Sequence, residues 1–67
     1  MNPQLEAQTR ACASGPRHGH PLRIAHVDGR VTNHRTLFNA LRSCRFGDVV
    51  YLWYEGRWAI WTSAGLI

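Results

Sequence analysis

The sequence contains no lysine; all eight of its basic residues are arginine. Acids are scarce, four against those eight, and cysteines number only two. No apolar run approaches the ~20 residues that a membrane-spanning helix requires. Met1 to Arg10 is polar and lacks the apolar core of a secretory signal. Cys12 and Cys44 are too few for a disulfide framework, so the expected compartment is a reducing cytoplasm. Cys44 then reads as a small core residue and Cys12 as a free thiol.

Motifs that carry chemistry are equally sparse. Gly15, Gly19 and Gly29 match no phosphate-cradling spacing. His18, His20 and Cys12 supply three candidate ligands, whereas a zinc site takes four on an ordered frame. Cys44 and His34 on one helix would point about 80° apart. Asp48 and Glu55, at opposite ends of one strand, would stand roughly 20 Å apart, too far for a working carboxylate pair. The chain carries no ribonucleoprotein-type aromatic motif, no GXXG loop and no zinc-finger ligand set. The expectation is a protein that is not an enzyme, with no cofactor, no metal and no small-molecule substrate.

At 67 residues the chain forms one domain near the lower size limit, where only about 60% of the unfolded surface is buried. Self-association would add to its stability. The organising stretch is Asp48 to Thr62, which holds all three tryptophans and both tyrosines. Two apolar runs there flank Glu55-Gly56, the pattern of a β-hairpin. A two-residue turn would pair Trp53 with Trp58 and put Tyr51, Trp53, Trp58 and Ile60 on one face. A three-residue loop with Gly56 at a bulge would pair Trp53 with Arg57. Glutamate is a poor residue for positive φ, so the three-residue loop is preferred.

Ahead of the hairpin, residues 1–21 hold one large aliphatic, Leu5, and little periodicity, and read as a flexible basic arm. Leu22 to Val27 alternates with period two, as a strand does, and ends at the turn signal Asp28-Gly29. Arg30-Val31 then makes a short return or leads into a helix. Thr32 to Arg45 is the helix, capped by Thr32 or Asn33, with Leu37, Phe38, Ala40, Leu41 and Cys44 on one apolar stripe. Gly47 is placed to end it. The fold expected for residues 22–67 is therefore α+β, in β-α-β-β order. One amphipathic helix packs on a three-stranded antiparallel sheet and covers Val50, Leu52, Trp58 and Ile60.

In that arrangement the second sheet face stays open and carries Tyr51, Trp53, Arg57 and Trp61. Aromatics with arginine are the usual anchors of protein interfaces, so the expected function is a regulatory or adaptor module that binds a protein partner, or a second copy, through this face. The alternative is sequence-independent nucleic-acid binding. Arg35, Asn39, Arg42 and Arg45 form its helical row, and the hairpin aromatics stack bases. From Arg10 to Arg45 seven arginines face a single acid, Asp28. Codon preference explains an all-arginine count as well as selection for a phosphate-forking guanidinium does.

Overall fold

In a computed structural model, residues 2–67 are described. The expected Asp28-Gly29 turn and Glu55-Gly56 hairpin are both present, within a chain of seven elements. In chain order these are α1 (Pro3–Cys12), β1 (Leu22–Ala25), β2 (Val31–His34), α2 (Leu37–Ser43), β3 (Val49–Tyr54), β4 (Arg57–Thr62) and β5 (Gly65–Leu66). The strands form one antiparallel sheet in the order β2-β1-β3-β4-β5. The expected single helix on a three-stranded sheet is thus corrected to two helices, one on each face of a five-stranded sheet.

The first twenty-one residues are not a disordered arm. Helix α1 starts at an Asn2 cap, whose side chain accepts from Gln4 N at 2.9 Å, and has proline in its first turn. It lays Ala7 and Ala11, both fully buried, against Ala25 and Tyr51, with Val31, Val49 and Trp58 packed around them. Its apolar face consists of two alanines, so it shows no stripe of large residues in the sequence. Those small side chains instead bring the helix backbone close to the sheet, where Tyr51 and Trp58 supply the buried area.

Arg23 fastens the end of α1. It sits on the α1 face of β1, 4% exposed, and its guanidinium donates to the carbonyls of Ala11 (2.7 Å), Ser14 (3.1 Å) and Gly15 (3.0 Å). Its Nε donates to Asn33 Oδ1 at 2.7 Å. The same group lies 4.7 Å from the centre of the Trp58 ring, and the Trp58 indole N–H donates to the Ser14 carbonyl at 2.8 Å. A cation at helix carbonyls complements both their unpaired lone pairs and the negative end of the helix dipole.

The expected helix over 32–45 is shortened at both ends. Thr32, Asn33 and His34 pair with Ile24, Arg23 and Leu22 as strand β2. Thr36 is the true cap, its hydroxyl accepting from Asn39 N at 3.1 Å. Helical propensity at Thr32–His34 gives way to a ladder that begins at the Asp28-Gly29 turn, where Gly29 takes φ +97°. On the α2 side the core is Leu22, Ile24, Ala40 and Val50, with Cys44, Leu52 and Trp61 against it. Gly47 does not cap α2. It takes φ +92° in the turn before β3, where a Cβ would stand 2.8 Å from Val27 Cγ1.

The hairpin register also differs from the preferred one. Glu55 (φ 50°) and Gly56 (φ 79°) form a two-residue turn, Tyr54 pairs with Arg57, and Trp53 pairs with Trp58. Positive φ at both central residues matches the right-handed twist of the strands. The mild strain at Glu55 is offset by a register that buries Val50 and Tyr51 and half-buries Leu52, Trp53, Trp58 and Trp61. Tyr51, Trp53, Trp58 and Ile60 therefore lie on the α1 side, and Val50, Leu52 and Trp61 on the α2 side. Trp58 and Ile60 are not under α2 as expected. The last residues close the sheet's edge, Ile60 and Ile67 exchanging backbone bonds of 3.0 and 2.9 Å.

Candidate docking surface around α2

With a helix on each face, the expected open sheet face is absent, and its four residues separate. Tyr51 is buried and Trp53 half-buried on the α1 side, where Trp53 meets Trp58 edge-on with ring centres 5.1 Å apart. Burial, with Cys12 beside it, pushes the Tyr51 hydroxyl up to about 12. Arg57 and Trp61 lie on the opposite side, Arg57 exposed near the hairpin tip and Trp61 half-buried in the α2-side core. No single partner surface can include all four.

Large apolar residues are exposed at Leu5, at Tyr54 and Ile60 on the hairpin, at Leu66 and Ile67, and on and around α2, where Val27, Leu37, Phe38, Leu41 and Phe46 are all exposed. The helix is seven residues long and turns only Ala40 fully inward, while Leu37, Phe38 and Leu41 face outward. The expected stripe is thus mostly solvent-facing. Phe38 is 68% exposed, and Phe46, in the turn after α2, is 103% exposed. Val27 is also exposed, and its side chain lies against Gly47 in that same turn. Among these groups stand Arg35, Asn39, Arg42 and Arg45, all exposed, with the Arg42 guanidinium 5.5 Å above the Phe38 ring. The four residues of the expected nucleic-acid row therefore do share one region, and they share it with apolar side chains. A cluster of large exposed apolar residues on a soluble surface marks a site of interaction.

The Phe46 turn is held firmly. The Asp48 carboxylate accepts from Arg45 N at 2.9 Å and from Val27 N at 2.9 Å, while Asp48 N donates to the Arg45 carbonyl at 3.0 Å. Asp48 Oδ2 also accepts from His26 Nδ1 at 2.7 Å. Burial pushes the Asp48 carboxyl up, but the two backbone N–H groups and His26 outweigh it and hold the carboxyl below its ordinary value. On its other side, His26 Nε2 is 2.7 Å from Thr32 Oγ1, which is 2.8 Å from His34 Nε2. Burial, then the charges of His26 and His20, lower the pKa of His34.

Asp48, His26 and Thr32 have the spacing of an acid-base-nucleophile relay. Thr32 Oγ1, however, is shared between two imidazoles and so is engaged on both sides. The sequence gives no sign of the four-residue chain because its links to His26 span 6 and 22 positions and join β1, β2 and the stretch before β3. The alternation of Thr32 and His34 with Asn33, following an Asp-Gly turn, was the available signal for β2. The Asn2-Pro3 start with Glu6 in the first turn was the available signal for α1.

Among the described residues, no helix is long and apolar enough to cross a membrane, and no group of His, Cys, Asp or Glu is arranged to hold a metal. Cys12 and Cys44 are free. The chain matches no protein-family model, no curated protein and no solved structure.

Proposed function

We propose that this protein is a non-enzymatic adaptor or regulatory module that docks an acidic protein partner through α2 and the turn that follows it. The observation that carries this is Phe46, a large ring fully exposed on a turn pinned by a buried carboxylate. Leaving an apolar ring wholly in water has no folding benefit, whereas an anchor carried on a pinned turn raises affinity. Phe38, Leu37, Leu41 and Val27 extend the apolar area, and Arg35, Arg42 and Arg45 frame it.

Charge selects the partner. Asp48 is buried and fully engaged, and Asp28 is paired with Arg30 at 2.8 Å. A second copy would bring arginines against arginines on a chain of net charge +4. A surface with aliphatic or aromatic anchors flanked by Asp and Glu complements the site. A reducing cytoplasm, where Cys12 and Cys44 stay free, belongs to the same proposal.

Nucleic acid is the second reading, since exposed rings beside guanidinium groups also stack bases and contact phosphate. Leu37, Leu41 and Val27 favour the protein partner, because aliphatic side chains have no use against a phosphate backbone. Fluorescence anisotropy distinguishes the two with three probes: a Leu/Trp peptide flanked by glutamates, its lysine counterpart, and a single-stranded oligonucleotide. The acidic peptide is expected to bind, the basic one is not, and Phe46→Ala or Phe38→Ala should weaken binding about ten-fold, or about 1.4 kcal/mol. Tighter binding of the oligonucleotide than of the acidic peptide, falling steeply with salt, would overturn the proposal in favour of nucleic acid.

A further inference from the structure

The hydrogen bonds from Asp48 to His34 do more than pin a turn, because the chain's two ends bracket α2. Asp48 accepts from Arg45 N, just beyond the helix, and His34 immediately precedes Arg35 and the Thr36 cap. The links between them are His26 Nδ1 to Asp48 Oδ2, His26 Nε2 to Thr32 Oγ1, and Thr32 Oγ1 to His34 Nε2, at 2.7, 2.7 and 2.8 Å.

Counting hydrogens decides what this chain tolerates. An ionised carboxylate only accepts, so His26 Nδ1 brings a hydrogen to Asp48. Thr32 has one hydroxyl hydrogen for two imidazole neighbours. With both rings otherwise neutral, Thr32 donates to His26 Nε2 and accepts from His34 Nε2–H. One added proton on His34 Nδ1 leaves every link intact. The same proton on His26 Nε2 reverses the chain: His26 donates to Thr32, and Thr32 donates to His34. A second proton places N–H groups on both sides of Oγ1, strands the hydroxyl hydrogen, and sets two cations about a single oxygen.

We propose that this chain is a proton-counting latch. It stays closed with none or one added proton, and the second proton opens it at the Thr32–His34 link, loosening the entry to α2. The opening falls at that link because His26 is 3% exposed and tied to Asp48, whereas His34 is half-buried on the edge strand. The charged and titratable groups that act on the two rings are Asp48 ahead of β3 and Asp28 in the β1–β2 turn, both on His26, and His20 ahead of β1 on His34; Arg30 pairs with Asp28 and Cys44 lies by Asp48. His20, when charged, opposes that second proton and sharpens the separation. The latch stands independently of the docking surface; its effect on docking rests on that proposal.

Imidazole ¹⁵N NMR from about pH 8 to about pH 4.5, with amide exchange read at Ala40, Leu41 and Arg42, tests the latch without any partner. The wild-type pair is expected to take up its protons in two separated steps. Protection of the α2 amides should fall about ten-fold at the second step only. Thr32→Val keeps the side-chain shape but removes the hydroxyl, and should abolish that pH-linked fall. Thr32→Ser should retain it, and His34→Gln, which cannot take the second proton, should lose it. Overturning results are α2 protection unchanged through the second step, or the same fall in Thr32→Val or His34→Gln as in the wild type. Should a variant not fold, the wild-type measurement decides alone. Failure of the acidic peptide to bind would remove the docking proposal and leave the latch untouched.

Discussion

Replacing Arg23 by methionine, which keeps the length of the side chain and removes the guanidinium, is expected to release α1 from the sheet. The wild-type group makes close bonds to Ala11, Ser14 and Gly15 carbonyls and to Asn33, and stacks over Trp58. Hydrogen bonds from a charged donor contribute about 1.5–3 kcal/mol each in net terms, and a desolvated cation–π contact about 2 kcal/mol. Their full sum overstates the loss. The Ser14 and Gly15 carbonyls regain water once exposed, and methionine avoids the cost of burying a cation that has no carboxylate partner. That cost is visible as the lowered pKa of Arg23, which burial causes. What remains is chiefly the buried Ala11 carbonyl, the Asn33 bond and the Trp58 contact, a net loss of about 3 kcal/mol. A chain of this size has a total stability of roughly 3–10 kcal/mol. At about 4–8 °C per kcal/mol for small domains, the melting temperature should fall by roughly 12–24 °C. Tryptophan fluorescence during urea and thermal unfolding measures this, and limited proteolysis at Arg10 or Arg17 reports whether α1 detaches first. Arg23→Lys, which retains charge but not the fork, should lie between the two proteins. A loss below about 1 kcal/mol for Arg23→Met would refute this account, since burial of the cation would then cancel all that it holds.

The hairpin turn offers a gain of stability: Glu55→Asn suits the positive φ of 50° at that position and should raise stability by about 0.5–1 kcal/mol, read as a higher urea midpoint. Stability should also fall on the acid side in two stages. The lowered pKa of His34 means that folding favours its neutral form, so its contribution is complete above about pH 6.5 and is lost below that, as pH falls through its lowered folded value. Asp48, lowered by its backbone and His26 bonds after burial is offset, contributes above about pH 3.9 and loses that contribution as pH falls further. Chemical denaturation across pH should show both stages, the upper one removed by His34→Gln and the lower one by Asp48→Asn.

Much of the local structure was legible in the residues themselves. The Asp28-Gly29 turn, a hairpin about Glu55-Gly56, the strand from Leu22 and a helix containing Leu37 to Ser43 all follow from backbone preference and period, whereas the hairpin's two-residue register ran against glutamate's preference. Those signals act over a few residues, so the sequence carries them directly. Helix α1 is different: its inward face is Ala7 and Ala11, and its hold on the sheet comes from Arg23, Tyr51 and Trp58, residues that meet it only in the folded chain. Strand β2 likewise needed its partner β1 to take Thr32–His34 from the helix. The candidate site followed the same division. That arginines and aromatics serve as contacts was readable, but which of them face outward depends on register, since a one-residue shift reverses every side chain of a strand. With α1 covering one face, Tyr51, Trp53 and Trp58 turned inward together, while Phe38, Phe46 and Tyr54 are left exposed. The sequence alone determined where this chain turns and what it is made of. Tertiary packing decided which side of each element meets water, because burial is a property of surfaces brought together and not of any stretch considered alone.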